Sequence, residues 1–592
     1  MNHKFHIPVL GLGYSIDTPL KVARYGISSV VSVVDDELTE RMREYHSAKN
    51  GEPFLLITKN ETNYREKRIT AYLNLLDKLV DKQFEQLKNE PFEPGNDICR
   101  YFDLLPDNSQ LKHGYELMME YRGSEGNNIF GNLLRREMRK GAIDVNIMSK
   151  IDKLNYNVNH EFTGEENTDA LAALRGFALS NLNSSVVLSA GMNPRLYTYI
   201  ESFADFLPDE SGTMRKKIIL KVSDYRSGMI QAKFLAKKGL WISEFRIESG
   251  LNCGGHAFAT DGYLLGPVLE EFKNKRRELY AELVQMYRSA LANKGIESPG
   301  LPQQRVSVQG GIGTSGENDF LLTYYQLDAT GWGSPFLLVP EATNVDQETR
   351  KQLEDADQED YYLSNSSPLG ILFNSFKGSS SETQRLERLK KGRPGSPCNK
   401  KYLVSNTEFT AEPICTASRE YQHLKIKQLK ELAIPAEEFE QKLEAVTEKV
   451  CLCEGLCSSA YVKYGIGKPK ESKAVAICPG PNLAYFSRSY TLDEMVKHIY
   501  GSLDLLQNIK RPHLFINELN LYIDYLQKEI SAHITSFTDK KQKYLVKFKN
   551  ELEEGIAYYE QLFPKLTNQA QSLATMLEDL YFAEKKLNNL TI

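Results

Sequence analysis

Residues Lys217–Arg246 read KIILKVSDYRSGMIQAKFLAKKGLWISEFR. Both ends are β-type runs, Lys217–Ser223 (KIILKVS) and Trp241–Arg246 (WISEFR), and Gly228–Lys238 between them has a helical pattern. A strand, a helix and a strand in that order need a crossover connection and hence a parallel pair. The rhythm repeats outward. Upstream lie His6–Gly13 (HIPVLGLG), Ile27–Val34 (ISSVVSVV), Ala142–Met148 (AIDVNIM) and Ser185–Ala190 (SVVLSA). Downstream lie Val306–Gly311 (VSVQGG) and Ala329–Phe336 (ATGWGSPF). These segments predict an α/β fold, a (β/α)8 TIM barrel, although a doubly wound sheet satisfies the same alternation.

The chain has 592 residues, more than one barrel of about 250 needs. With 41% hydrophobic and 26% charged residues it has the composition of a globular protein. The expected organisation is a barrel from 1–36 and 141–345, a helical insertion at 37–140, a cysteine-containing extension at 346–490 and a helical region at 491–592. In the insertion, Ile69, Tyr72, Leu73, Leu76 and Leu79 recur at helical spacing. Residues 376–400, rich in Ser, Gly and charge, read as a surface loop or linker. Thr491 with Glu494 matches a capping box, and Leu519, Ile523, Leu526, Ile530, Ile534 and Phe537 continue a helical stripe that packs within the chain or on a second subunit.

The net charge of −5 gives no sign of a nucleic-acid partner. No run of about 18 apolar residues predicts a membrane span, and the N-terminus lacks a signal-type apolar region, so a cytoplasmic protein with reduced cysteines is expected. Walker A, HExxH and GxSxG motifs are missing.

Three glycine-rich strand ends carry the functional signal: Asn252–Phe258 (NCGGHAF), Gln309–Thr314 (QGGIGT) and Thr330–Phe336 (TGWGSPF). Barrel ligands sit at the carboxyl ends of strands, and glycine lets backbone N–H groups approach phosphate oxygens. Gly316–Leu327 is expected to form a helix whose N-terminus faces that phosphate. The second signal is cysteine. Cys451, Cys453, Cys457 and Cys478 cluster in sequence, with Cys398 and Cys415 upstream. Thiolates suit an iron–sulfur cluster or zinc, and the rival account is buried structural thiols.

The order of these segments resembles the flavin-dependent nitronate monooxygenase superfamily, which includes the flavin-type enoyl-ACP reductases. CGGH at Cys253–His256 is similar to its Ala-Gly-Gly-His signature. Gly310, Gly311 and Ile312 resemble its phosphate loop, Gly331–Ser334 its next glycine-rich strand end, and Val145-Asn146-Ile147 its Val-Asn-Leu strand. PVLGLGYSIDTPLKVARYGISSVVSV, which holds Gly11, is similar to its opening. The resemblance covers residues 5–36 and about 141–345. It implies an FMN-binding barrel and an oxidoreductase acting on a small-molecule or acyl substrate. Gly11, Asn146, Lys221, Gly254, Gly255, Gly310, Gly311, Gly331, Gly333 and Ser334 would then contact the cofactor. His256 would act as a base, or only bind phosphate or backbone. Lys221 would place a cation by the ring, or be a solvated strand-edge lysine. An iron–sulfur cluster would feed the flavin single electrons, from an electron-transfer partner or within a homo-oligomer. Glu244, Arg246 and Glu248 share one face, which lies either in the barrel mouth or in solvent. Asn252-Cys253 stands where the family has an acidic residue, AFATDG follows the motif, and 257–304 is lengthened, so substrate specificity does not carry over. The rival functions are a non-catalytic barrel used for binding or assembly and a non-flavin phosphate-binding barrel enzyme.

Overall fold

A computed structural model describes residues 3–592 apart from 122–126, 150–151, 158–160, 190, 298–299, 534–537, 567–568 and 570. Eight parallel strands close in sequence order: β1 (Phe5–Ile7), β2 (Ser28–Ser32), β3 (Ile143–Asn146), β4 (Ser184–Leu188), β5 (Lys216–Val222), β6 (Ile242–Glu248), β7 (Arg305–Gln309) and β8 (Ala329–Gly331). Phe5 pairs with Thr330 and His6 with Gly331, which seals the cylinder and rules out the open sheet. Every expected segment holds a strand. The glycine-rich ends leave the ladder and form loops above it, so several strands are shorter than the apolar runs suggest. Ala190, the end of the fourth expected segment, lies outside the described residues.

The face left open by the sequence is inside. Arg246 on β6 approaches Asp144 on β3 at 3.9 Å, and these strands are not neighbours, so the pair spans the lumen. Arg246 Nε donates to Glu244 at 2.9 Å, and Ser307 Oγ donates to the same carboxylate at 2.5 Å. Burial opposes ionisation of Glu244, but Arg246 and Arg305 outweigh it and hold the carboxyl down to about 2. Val30, Val187 and Ile219 form a small apolar cluster separate from the main core. The lumen is thus filled by side chains, charged ones included, and the ligand space lies above them.

Helices Asp36–Asn50 and Tyr64–Lys88 fall between β2 and β3. Ile69, Tyr72, Leu73, Leu76 and Leu79 are all buried on the second, as their spacing predicts. Arg65 and Arg68 grip Asp36 at 2.8 and 2.9 Å, fixing that helix against the end of β2.

Residues 376–400 are not simply a linker: they hold an 11-residue helix, Ser380–Lys390. Ser379 caps it by accepting from the Glu382 amide, and Arg385 pairs with Glu382 along its side. The helix has no fully buried residue, which is why its sequence is so polar. A short antiparallel pair, β9 (Tyr361–Ser364) and β10 (Phe373–Phe376), precedes it.

The Thr491–Glu494 capping box forms as expected. Leu519, Ile523, Leu526 and Ile530 of the Leu514–His533 helix are buried in the same apolar core as the barrel, so this stripe packs within the chain. Ile534 and Phe537 lie outside the described residues. Among the described residues no helix is long and apolar enough to cross a membrane.

Arg511 ties the tail to the barrel. Its buried guanidinium donates to Glu317 at 2.6 Å, to the Gly311 carbonyl at 2.6 Å and to Asn482 at 2.8 Å. Removing one member of a buried ion pair strands the other and costs about 3–5 kcal/mol. Arg511→Met should therefore lower stability in urea unfolding by about that much, with part recovered on adding Glu317→Gln. Unfolding that matches the wild type would show that the tie does not hold the tail.

Candidate active site

A cavity of about 750 Å³ opens at the carboxyl end of the barrel. This lies within the ordinary range of small-molecule sites, about 300–1,000 Å³. Its wall collects the sequence candidates from six strand ends. Gly11 follows β1, Asn146 ends β3 and Lys221 stands near the end of β5. Gly254, Gly255 and His256 follow β6, Gly310 and Gly311 follow β7, and Gly331, Gly333 and Ser334 end or follow β8.

The donors on this wall suit an anion. Among the described residues, the backbone N–H groups of Gly310, Gly311, Ile312, Gly333 and Ser334 donate to no protein acceptor. Gly311 and Ile312 are buried, where such donors require a partner. Ser32 Oγ and Asn252 Nδ2, also buried on this wall, lack hydrogen-bond partners. The loop amides suit an anion such as a phosphate. Packing adds its own demand for glycine. Gly311 has φ +79°, and a Cβ there would fall 2.0 Å from Asn252 Nδ2. At Gly310 a Cβ would lie 2.7 Å from the Cys253 sulfur.

The expected helix exists as Ser315–Tyr324, and its first residues do not line the cavity. The Glu317 carboxylate accepts from the Gly313 and Thr314 amides at 2.8 and 3.2 Å. The chain's own carboxylate, paired to Arg511, answers that end.

Lys221 is not solvated strand edge. Its ammonium donates to Glu248 at 3.0 Å, and Gln309 donates to the same carboxylate at 2.5 Å. Gln309 Oε1 lies 3.4 Å from His6 Nε2. Burial, with Arg246 nearby, lowers His6 to about 3 and keeps it neutral. His256 Nε2 sits 2.9 Å from Ser367 Oγ, with the Phe373 ring edge against it. Cys253 is raised well above an ordinary thiol by burial and by Glu248, so it remains protonated and serves as wall.

The four cysteines expected to bind a metal do not assemble. Cys451 precedes the Leu452–Tyr464 helix, which carries Cys453 and Cys457. Cys457 turns its thiol to Asp35 at 3.2 Å. Cys478 instead lines the ligand cavity, and burial pushes its thiol up to about 12. Among the described residues no group of three or more His, Cys, Asp or Glu side chains is arranged to hold a metal ion.

The tail segment around Cys478 is what sequence reasoning missed. The Cys478 carbonyl accepts from the Gly255 amide at 3.0 Å, and the Gly480 amide donates to Ser334 Oγ at 2.7 Å. Asn482 donates to the Ile312 carbonyl at 2.9 Å. Asn374 on β10 donates to the Cys253 carbonyl at 2.6 Å. The tail thus builds one wall of the site. The Pro-Gly-Pro turn after Cys478 was the visible signal.

No family model and no curated protein matches the chain. Among solved structures, FabK from Thermotoga maritima is 12% identical over 68% of this chain and 86% of that one, with a TM-score of 0.31. A nitroalkane oxidase from Streptomyces ansochromogenes is 10% identical over 86% and 97%, with a TM-score of 0.32. The enoyl reductase domain of MlnA from the macrolactin biosynthesis cluster of Bacillus amyloliquefaciens is 13% identical over 75% and 87%, with a TM-score of 0.30. Likenesses this distant carry no argument. The barrel stands on its own strand register.

Behind the glycine loop, Glu518 accepts from Ser249 Oγ at 2.5 Å and from the Leu265 amide at 2.7 Å. Burial pushes its carboxyl from 4.5 up to about 7. The folded state therefore binds this proton more tightly than the unfolded one. The contribution to stability is complete below about pH 4.5 and is lost as pH rises through about 7, a change of about 3 kcal/mol. Glu518→Gln should flatten this part of the profile in unfolding measured from pH 5 to 8. Equal slopes in the two proteins would exclude the proton-holding role.

Proposed function

We propose that the protein is an FMN-dependent oxidoreductase similar to the nitronate monooxygenases and flavin-type enoyl reductases, acting on a small-molecule or acyl substrate. One observation carries the reading. The residues that the resemblance singles out, scattered from Gly11 to Ser334, line a single cavity together with unpartnered backbone donors. FMN, when bound, supplies a ring that takes up and gives back electrons as hydride or singly.

The remaining work falls to the chain. The amides of Gly310, Gly311, Gly333 and Ser334 hold the terminal phosphate. Gly255, with φ +79° and no atom within 4 Å of a built Cβ, leaves the backbone open to close approach. Asn146, on the cavity wall, would contact the ring. Lys221, held by Glu248 on the cavity wall, would offer a cation to the flavin ring. His256, steadied by Ser367, takes or returns the substrate proton. Leu369–Phe373 and the Cys478 segment close the site from the tail side, limiting water. The cysteine thiols have no part in this chemistry.

The absorbance spectrum of the full-length protein, as purified and after incubation with FMN, tests the reading. Flavin bands that stay with the protein through gel filtration are expected. Protein that takes up no flavin would favour a binding barrel or a non-flavin enzyme. His256→Ala should keep the flavin yet lower turnover of a nitronate or an enoyl thioester by about 10²-fold or more. Undiminished turnover would remove His256 from proton transfer.

A further inference from the structure

A second cavity, of about 1,140 Å³, lies in the C-terminal extension. Cys398 and Cys415 both line it, and neither is in a disulfide. Two backbone hydrogen bonds hold their loops side by side: the Ser396 amide donates to the Ala417 carbonyl at 3.0 Å, and the Arg419 amide to the Ser396 carbonyl at 2.8 Å. Within this frame the Cys398 and Cys415 side chains line the same cavity. Cys415 is buried and Cys398 partly exposed, so one thiol meets solvent with the other behind it. Arg393, Lys401, Arg419 and Lys430 outnumber Glu412 and Glu420 on the cavity wall.

We propose that this cavity is a thiol–disulfide exchange site for an anionic low-molecular-weight disulfide, with Cys398 the attacking thiol and Cys415 the resolving one. The Cys398 thiolate attacks one sulfur of the disulfide. A mixed disulfide forms and one substrate thiolate leaves. Cys415 gives its proton to solvent and attacks the Cys398 sulfur, which expels the second substrate thiolate. Two electrons pass from the protein dithiol to the substrate, leaving a Cys398–Cys415 disulfide and two reduced thiols.

The chemistry of the pair supports these roles. The neighbouring Cys415, then the Lys401 amide and charge, lower Cys398 to about 7 against burial. Cys415 is pushed far upward by the neighbouring Cys398 and by burial, so the two thiols differ in readiness as attacker and resolver require. The site lies outside the flavin cavity, and the proposal stands or falls apart from that reading.

The test treats the full-length protein, without oxygen, with glutathione disulfide at pH 7, followed by peptide mapping. A Cys398–Cys415 disulfide, reversed by dithiothreitol, is expected. Reaction should be about tenfold faster than at an ordinary thiol, because Cys398 is held below the usual thiol range. Cys415→Ser should stop at the mixed disulfide on Cys398. The cationic disulfide cystamine should react more slowly than glutathione disulfide. Wild-type protein in which Cys398 and Cys415 stay reduced would overturn the proposal, and so would cystamine reacting as fast. One equivalent of zinc or iron in purified protein, absent from Cys398→Ser, would overturn it in favour of a metal–thiolate site.

Discussion

The buried Arg511 guanidinium is the interaction on which the site's shape depends. It neutralises Glu317, binds the Gly311 carbonyl and reaches Asn482. Glu317 in turn caps the helix after β7, and Asn482 holds the Ile312 carbonyl. One side chain from the tail therefore fixes the loop after β7, the start of the next helix and the segment that walls the cavity. A buried charge of this kind needs a counter-charge and hydrogen-bond partners, and here all three guanidinium nitrogens find them, on three separate segments.

A barrel of eight short strands does not by itself make a deep pocket. The lumen is filled by Glu244, Arg246, Asp144 and their partners, and the cavity exists because loops rise above this layer. Pro8–Leu12, the glycine loop after β6 and the loops after β7 and β8 supply the floor and sides. The hairpin before the Ser380–Lys390 helix and the Cys478–Asn482 segment complete the enclosure. The extensions are structural parts of the site as much as the barrel is.

The strands were legible because period-two and continuous apolar runs have a direct physical cause, burial against a helix layer on one side and a packed lumen on the other. The glycine loops were legible because close backbone approach tolerates few other residues. What the sequence hid was long-range. Nothing local to Cys478 says that its carbonyl meets Gly255, so proximity in sequence to Cys451, Cys453 and Cys457 suggested a shared ligand set. Cys453 and Cys457 lie on one helix that Cys451 precedes, and the partner of Cys457 is Asp35. The Glu317 cap was written in the sequence as Thr314 followed by Glu317, but the same pattern also suits an open helix end waiting for an anion. Only the fold decides between them. The alternation of Glu244, Arg246 and Glu248 fixed a common face yet not its direction, which needed Asp144 across the lumen.

The self-capped helix after β7 has a consequence for how an anion is attracted. Glu317 cancels against Arg511, so the glycine loop after β7 presents oriented dipoles in place of net charge. Dipolar attraction acts over a few ångströms and is little touched by dissolved ions, whereas charge-driven capture weakens as a counterion cloud gathers. A ligand gripped here would feel almost nothing at a distance and a great deal on contact, and its retention would be nearly indifferent to the saltiness of its surroundings.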